Sequence, residues 1–295
     1  MNKIYNTQED IAIAIKNYLL KVDPSIRKTQ LNIIPYIMIG MIDSESVVAC
    51  DIAKKLKNDF SLVQIDSIIK RIRRLFNNPL FNPYSFFESI IIDILDNYKC
   101  KDNGKVHIVF DHMYSKDNYT VFMFSMRIGK QGIPLLFRCF EGDRDPNAFT
   151  DKTITDCIRK ISSYFDKYNY ELVFLADRWF NSEKVLSTID DLGHTYCIRL
   201  KGNLLVSYYD KKKYRNVKLF TGDLNAKLYT GKYYKDILLY DNSNYRTNIV
   251  ISRKIKNDEH WIIATNGKCN EAVKYYSYRF GGKLFLKIKN LMVLI

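Results

Sequence analysis

The chain has 295 residues, 47% of them hydrophobic, with 46 Lys and Arg against 32 Asp and Glu and a formal net charge of +14. That length and apolar content exclude a disordered tail and suffice for one elaborated domain or two smaller ones. The positive charge and the 22 Tyr and 17 Phe favour a nucleic-acid partner, whose phosphates attract Lys and Arg while its bases stack on rings, although AT-rich coding DNA yields the same Lys-, Asn-, Ile- and Tyr-rich composition.

Residues 1–100 carry helical patterns. In 61–76 the apolar Ile65, Ile68, Ile69, Ile72, Leu75 and Phe76 recur at helical spacing, while Lys70, Arg71, Arg73 and Arg74 form a charged flank. A helix over 46–57 precedes it across Asn58 to Phe60, with Ser61 as the expected N-cap. The pair resembles a helix-turn-helix loosely, and an ordinary helical bundle with a solvated basic face fits the same pattern. The turn-rich NNPLFNP at 77–83 separates this pair from a helix over 84–98.

After the turn at Asp102, Asn103 and Gly104 the periodicity changes. VHIVF (106–110), YTVFMFSMRI (119–128) and PLLFRCF (134–140) read as three strands. A helix over 151–168, capped by Thr150 or Asp151, precedes strand LVFLA (172–176), a helix over 182–192 stopped by Gly193, and strand TYCIRLK (195–201). The first and fourth strands lack strict polar alternation, as central strands covered on both faces do. Each ends in an acid, Asp111 and Asp177. From 203 to 265 short, Tyr-rich, basic strands predict a β-rich insertion, and 271–282 (EAVKYYSYRFGG) predicts a helix that fails at its glycine pair.

The order β-β-β-α-β-α-β is that of RNase H-like nucleases, whose first and fourth strands are parallel neighbours. The expected fold is therefore α/β, an RNase H-like mixed sheet with a β-rich insertion and an N-terminal helical region. This places Asp111 and Asp177 together at one edge of the sheet, where two carboxylates suit Mg²⁺.

VFDHM around Asp111, LADRWFNS around Asp177, WIIATN at 261–266, and Tyr276 with Arg279 three residues later resemble the bacterial insertion-sequence DDE transposases of insertion-sequence family 4. The last catalytic helix of that family carries Y-x2-R-x3-E-x6-K, offsets that fall on one helical face. The resemblance covers roughly residues 100–282. It implies a cut-and-paste transposase in which Asp111, Asp177 and a helix glutamate bind Mg²⁺ or Mn²⁺. Tyr276 and Arg279 would contact DNA phosphates, Lys70, Arg71 and Arg74 would contact DNA from the helical region, and a homodimer would hold the terminal inverted repeats and target DNA.

Lys283 stands where the glutamate belongs and Asn290 where the lysine belongs. Read with AT-rich codons from each codon's third base, the last residues KIKNLMVLI give N-Q-K-S-N-G-F. Extended upstream, that frame allows a Glu four residues after Arg279 and a Lys seven beyond it. Residues 283–295 thus read as an out-of-frame tail left by a lost base near codon 282, with programmed frameshifting or a sequencing error as other causes.

The resulting division is 1–100 helical, 101–202 catalytic core, 203–265 insertion, 266–282 start of the final helix, and 283–295 tail. The expected activity is DNA cleavage and strand transfer, impaired by the missing acid. The alternatives are a non-catalytic DNA-binding inhibitor derived from a transposase, and an RNase H-like nuclease acting on RNA–DNA hybrids. Cys50, Cys100, Cys139, Cys157, Cys197 and Cys269 form no CxxC pair, and the four histidines show no zinc spacing with them. With no secretory leader or membrane-length apolar run, a reduced, cytoplasmic, nucleoid-associated protein without a membrane partner is expected.

Overall fold

A computed structural model describes residues 7–56, 63–100, 104–114, 119–141, 150–210, 215–224, 232–240, 244–252 and 260–286. The chain divides into a unit that runs to Tyr98 and a second unit, Lys99–Lys287.

The first unit contains α1 (Gln8–Val22), α2 (Lys28–Leu31), α3 (Ile34–Ser44), α4 (Ala49–Leu56), α5 (Ile65–Phe76) and α6 (Pro83–Asn97). Thr7 and Asp10 close a capping box at the start of α1, which satisfies two of the orphan N–H groups at that end. Leu19, Leu31, Ile37, Ile52, Leu56 and Ile72 form the centre of the core. Gly40 lets α3 approach α4, because a Cβ there would meet Ile52 Cγ2 at 2.7 Å. Helix α5 turns Ile68, Ile72 and Leu75 inward and exposes Lys70, Arg71, Arg73 and Arg74, as its periodicity requires. The expected cap at Ser61 and the link at 58–60 lie outside the described residues, and Gln64 precedes the helix instead. No single helix among the described residues is long and apolar enough to cross a membrane.

The second unit is built on β1 (Lys105–Tyr114), β2 (Tyr119–Ile128), β3 (Gln131–Glu141), α7 (Asp151–Tyr164), β4 (Glu171–Ala176), α8 (Glu183–Asp191) and β5 (Thr195–Arg199). It continues through β6 (Leu205–Asp210), β7 (Arg215–Phe220), β8 (Lys232–Leu238), β9 (Arg246–Ile251), β10 (Ile262–Thr265) and α9 (Cys269–Leu286). The strands lie in the order β3-β2-β1-β4-β5-β10-β9-β8-β6-β7. β1, β4 and β5 run parallel, and β2 and β3 are antiparallel to their neighbours. Three antiparallel strands followed by two parallel ones, linked through helices, make this an RNase H-like mixed α/β sheet. The strands of the 203–265 stretch extend the same sheet beyond β5, through β10.

Period-two alternation divides the strands between two faces. On one, Val109, Val173, Leu175 and Cys197 pack against Ala272, Tyr275 and Tyr276 of α9. On the other, Phe110 lies against Phe124, Phe174 and Phe180. Both parallel strands are covered on both sides, which explains their unbroken apolar runs. Thr150 caps α7 and Ser182 caps α8, while Gly193 takes a positive φ of 73° just beyond α8. None of the six cysteines is bonded to another, and Cys157 and Cys197 are buried. Burial pushes the Cys197 thiol up to about 12, so it stays protonated and inert.

Among the boundaries that differ from expectation, three have a clear physical content. β1 runs on to Tyr114 because its pairing with β2 continues past the last parallel pair, Val109 with Leu175. α7 ends at Tyr164 rather than 168. α9 passes through Gly281–Gly282 to Leu286, although each glycine costs about 1 kcal/mol relative to Ala.

Leu175 is fully buried between α9 and the sheet. Leu175→Ala is expected to lower unfolding stability by about 3 kcal/mol, the usual cost of such a cavity, read from urea denaturation.

Candidate active site

Asp111 and Asp177 sit on the α9 face of β1 and just beyond the end of β4, two residues past the last registered pair of those parallel strands. Asp111 lies within β1, opposite Met123 of β2, and not beyond a strand end as the apolar run VHIVF suggested. Its Oδ1 accepts the His112 N–H at 3.0 Å. Asp177 caps a short 3-10 turn, Arg178–Phe180, and its Oδ1 accepts the Arg178 N–H at 2.8 Å. Each carboxylate is therefore oriented by a main-chain donor and keeps its second oxygen for other work.

Arg279 takes both second oxygens. Its Nη2 donates to Asp111 Oδ2 at 2.7 Å and lies 3.1 Å from Asp177 Oδ2. Two oxygens held by one nitrogen cannot lie further apart than the sum of those distances, so the two carboxylates share one location on the sheet. The Arg279 side chain is 3% exposed, against 13% and 23% for the two aspartates. Such burial strengthens the attraction and raises the cost of leaving any one of the three charges uncompensated. Among the described residues Arg279 Nε is buried with no hydrogen-bond partner.

Tyr276, one turn earlier on α9, is fully buried. Its ring packs on Trp261 and Phe280 at centroid distances of 5.2 and 6.0 Å, and burial pushes its phenol up to about 12. Tyr276 and Arg279, expected to contact DNA phosphates, are both buried, at 0% and 2% exposure. The helical spacing set their shared face, and the sheet then buried that face.

Residues not singled out in the sequence also surround the carboxylates. By register Arg199 lies on β5 level with Asp177 and on the same face, and its charge reaches the Tyr276 phenol. His112 packs against Trp179 and Phe180. Burial holds the His112 imidazole below its ordinary value, against the opposing pull of Asp111 and Asp177. No local pattern marks these residues, since an Arg at a strand end and a His within a strand are each common.

Two oriented carboxylates suit one Mg²⁺ or Mn²⁺ ion, which takes one or two acids and completes its octahedron with water or phosphate. They do not suffice for a two-ion centre. Among the described residues no group of three or more His, Cys, Asp or Glu is placed to hold a metal. Position 283, where the family spacing puts the third acid, lies one helical turn beyond Arg279 in α9 and is a lysine. Asn290 lies outside the described residues.

Lys70, Arg71 and Arg74 belong to the first unit. Arg71 and Arg74 line an open cleft of about 460 Å³ together with Thr29, Gln30, Asn32 and Asn78, while Lys70 is exposed on the same helix.

The sequence matches no protein-family model and no curated protein. Among solved structures the chain is similar to Marinitoga piezophila Argonaute in complex with 5′-OH guide RNA and target DNA. That likeness has a TM-score of 0.29 and 13% identity, covering 73% of this chain. This chain matches about a third of that protein's length, 32%. At that score the likeness carries no functional argument. The class of the protein, an RNase H-like α/β chain with a two-aspartate site, rests on strand order and on the carboxylate pair.

Arg279→Gln removes the charge that both aspartates share. The expected loss is about 3 kcal/mol or more of unfolding stability in EDTA, partly recovered when Mg²⁺ or Mn²⁺ replaces the lost cation. The midpoint of the unsubstituted protein should respond little to the same ions. Denaturant melts with and without the metals check both outcomes.

Proposed function

We propose that this chain descends from a cut-and-paste DNA transposase, binds the ends of a mobile element as double-stranded DNA, and retains an impaired phosphodiester-cleaving site. The observation that carries this reading is the junction of Asp111 and Asp177 on adjoining parallel strands, bridged by Arg279 from the final helix. The net positive charge and the exposed Lys70, Arg71 and Arg74 of α5 support contact with the phosphate backbone, which supplies most sequence-independent affinity. Two copies pairing two ends would follow from the family resemblance.

In this reading Asp111 and Asp177 would hold one Mg²⁺ or Mn²⁺ ion, which when bound polarises a phosphate oxygen and eases deprotonation of water. The main-chain bonds to their Oδ1 atoms fix the carboxylates before substrate arrives. A phosphate entering the site competes with them for Arg279, whose planar fork suits two phosphate oxygens at once. Arg199 adds positive charge on the β5 side. Buried aromatic packing around Tyr276 limits water on the α9 side.

The impairment follows from charge. A lysine in place of an acid changes the local charge by two units, and one unit pair at 4 Å is worth about 4 kcal/mol at an effective dielectric of 20. A second reading, a non-catalytic inhibitor that occupies element ends, is favoured by the same lysine and by Arg279 already satisfying both aspartates.

Incubation with inverted-repeat duplex and Mg²⁺ or Mn²⁺ separates the two. Slow nicking is expected, abolished by EDTA and by Asp111→Ala, and Lys283→Glu should raise the rate by about tenfold or more. End binding with no nicking in any variant supports the inhibitor. Nicking that survives both EDTA and Asp111→Ala rules out the two-aspartate site as its source.

A further inference from the structure

Arg71, Arg74 and Leu75 share one face of α5 by helical spacing, and Asn78 follows just beyond the helix end. Opposite them stand α2 and the residues after it, and between the two sides lies the open cleft of about 460 Å³. All of it belongs to the first unit. The two sides are fastened to each other by Gln30, which is 5% exposed. Its Oε1 accepts the Arg27 N–H and its Nε2 donates to the Leu80 carbonyl beyond α5, each at 3.4 Å. The cleft is therefore formed before any ligand arrives.

Its polar lining consists of donors. Asn32 Oδ1 is taken by Lys16 Nζ at 2.9 Å and Asn78 Oδ1 by the Leu80 N–H at 3.0 Å, which leaves each amide its NH₂ group to donate. No acid lines the cleft. Among the described residues Arg71 and Arg74 have neither an ion-pair nor a hydrogen-bond partner. Two unpaired guanidiniums beside amide donors call for an anionic ligand rich in acceptors, and phosphate meets an arginine fork with two oxygens at once. The volume falls within the range of small-molecule sites, about 300 to 1,000 Å³, and far exceeds one phosphate ion. Ile33 and Leu75 give the remaining space an apolar wall, which suits the flat face of a base, while asparagine NH₂ groups suit acceptors on its edge. A duplex is read by a helix that projects into its groove; a cleft instead admits a small molecule that enters it.

We infer that the cleft between α2 and α5 binds a free nucleoside phosphate, its phosphates at Arg71 and Arg74 and its base against Ile33 and Leu75 beside Asn32 and Asn78. Occupancy of the cleft does not depend on duplex binding, although both would draw on the same two arginines.

The test is titration calorimetry on the full chain in EDTA, with adenosine diphosphate, pyrophosphate and adenosine as probes. Adenosine diphosphate is expected to bind saturably at one site, and the other two at least about tenfold more weakly. Arg71→Gln and Arg74→Gln should each weaken the nucleotide by about tenfold, the usual effect of one charge-assisted hydrogen bond. Both side chains are exposed, so the circular dichroism of these variants should match that of the unsubstituted protein. Arg73→Gln removes the same charge from the same helix outside the cleft and should change affinity by less than about twofold. Absence of saturable binding, pyrophosphate binding as tightly as the nucleotide, or an equal loss in Arg73→Gln overturns the site. A short single strand of DNA held more tightly than the nucleotide through Arg71 and Arg74 overturns the free nucleotide as its occupant. Nucleotide binding by a chain that fails to bind duplex upholds the site and counts only against the DNA-binding reading.

Discussion

The guanidinium of Arg279, shared by Asp111 and Asp177, is the contact on which the architecture of the site depends. Parallel pairing of β1 with β4 delivers two acids to the same place, and alone they would repel each other in partly buried surroundings. A main-chain N–H on each first oxygen and one arginine nitrogen on both second oxygens resolve that conflict. Arginine suits the task because it stays charged when buried and its donors lie in a fixed plane. The helix that supplies it is seated on the same sheet face by Tyr275, Tyr276 and Ala272, so apolar packing and ion pairing set one geometry together.

This arrangement gives the site two opposed tendencies. The pair of carboxylates is suited to a divalent ion, while the arginine already supplies the positive charge that an ion would bring. With a third acid on the helix the balance would tilt toward metal. In the proposed reading, lysine at that position leaves the balance with the arginine. The proposed impairment therefore has a physical origin that does not require loss of the helix, since α9 continues past position 283 to Leu286.

Much of this was legible in the sequence because it depends on patterns that local physics enforces. Unbroken apolar runs ending at Asp111 and Asp177 marked central strands, and the element order made them neighbours. The three-residue step from Tyr276 to Arg279 placed both on one helical face. What that face would meet was not legible, since spacing gives direction and not surroundings, and both residues proved buried. The extension of β1 to Tyr114 depends on a partner strand, and the survival of α9 through Gly281–Gly282 depends on tertiary packing outweighing propensity. Arg199 and His112 joined the site only through register.

A double-mutant cycle between Asp177→Asn and Arg279→Gln, read as unfolding stability in EDTA, tests most directly whether the two strands are joined through one arginine. Coupling of at least about 1 kcal/mol is predicted for side chains in direct ionic contact. Effects that add to within about 0.5 kcal/mol, as for independent sites, would contradict it.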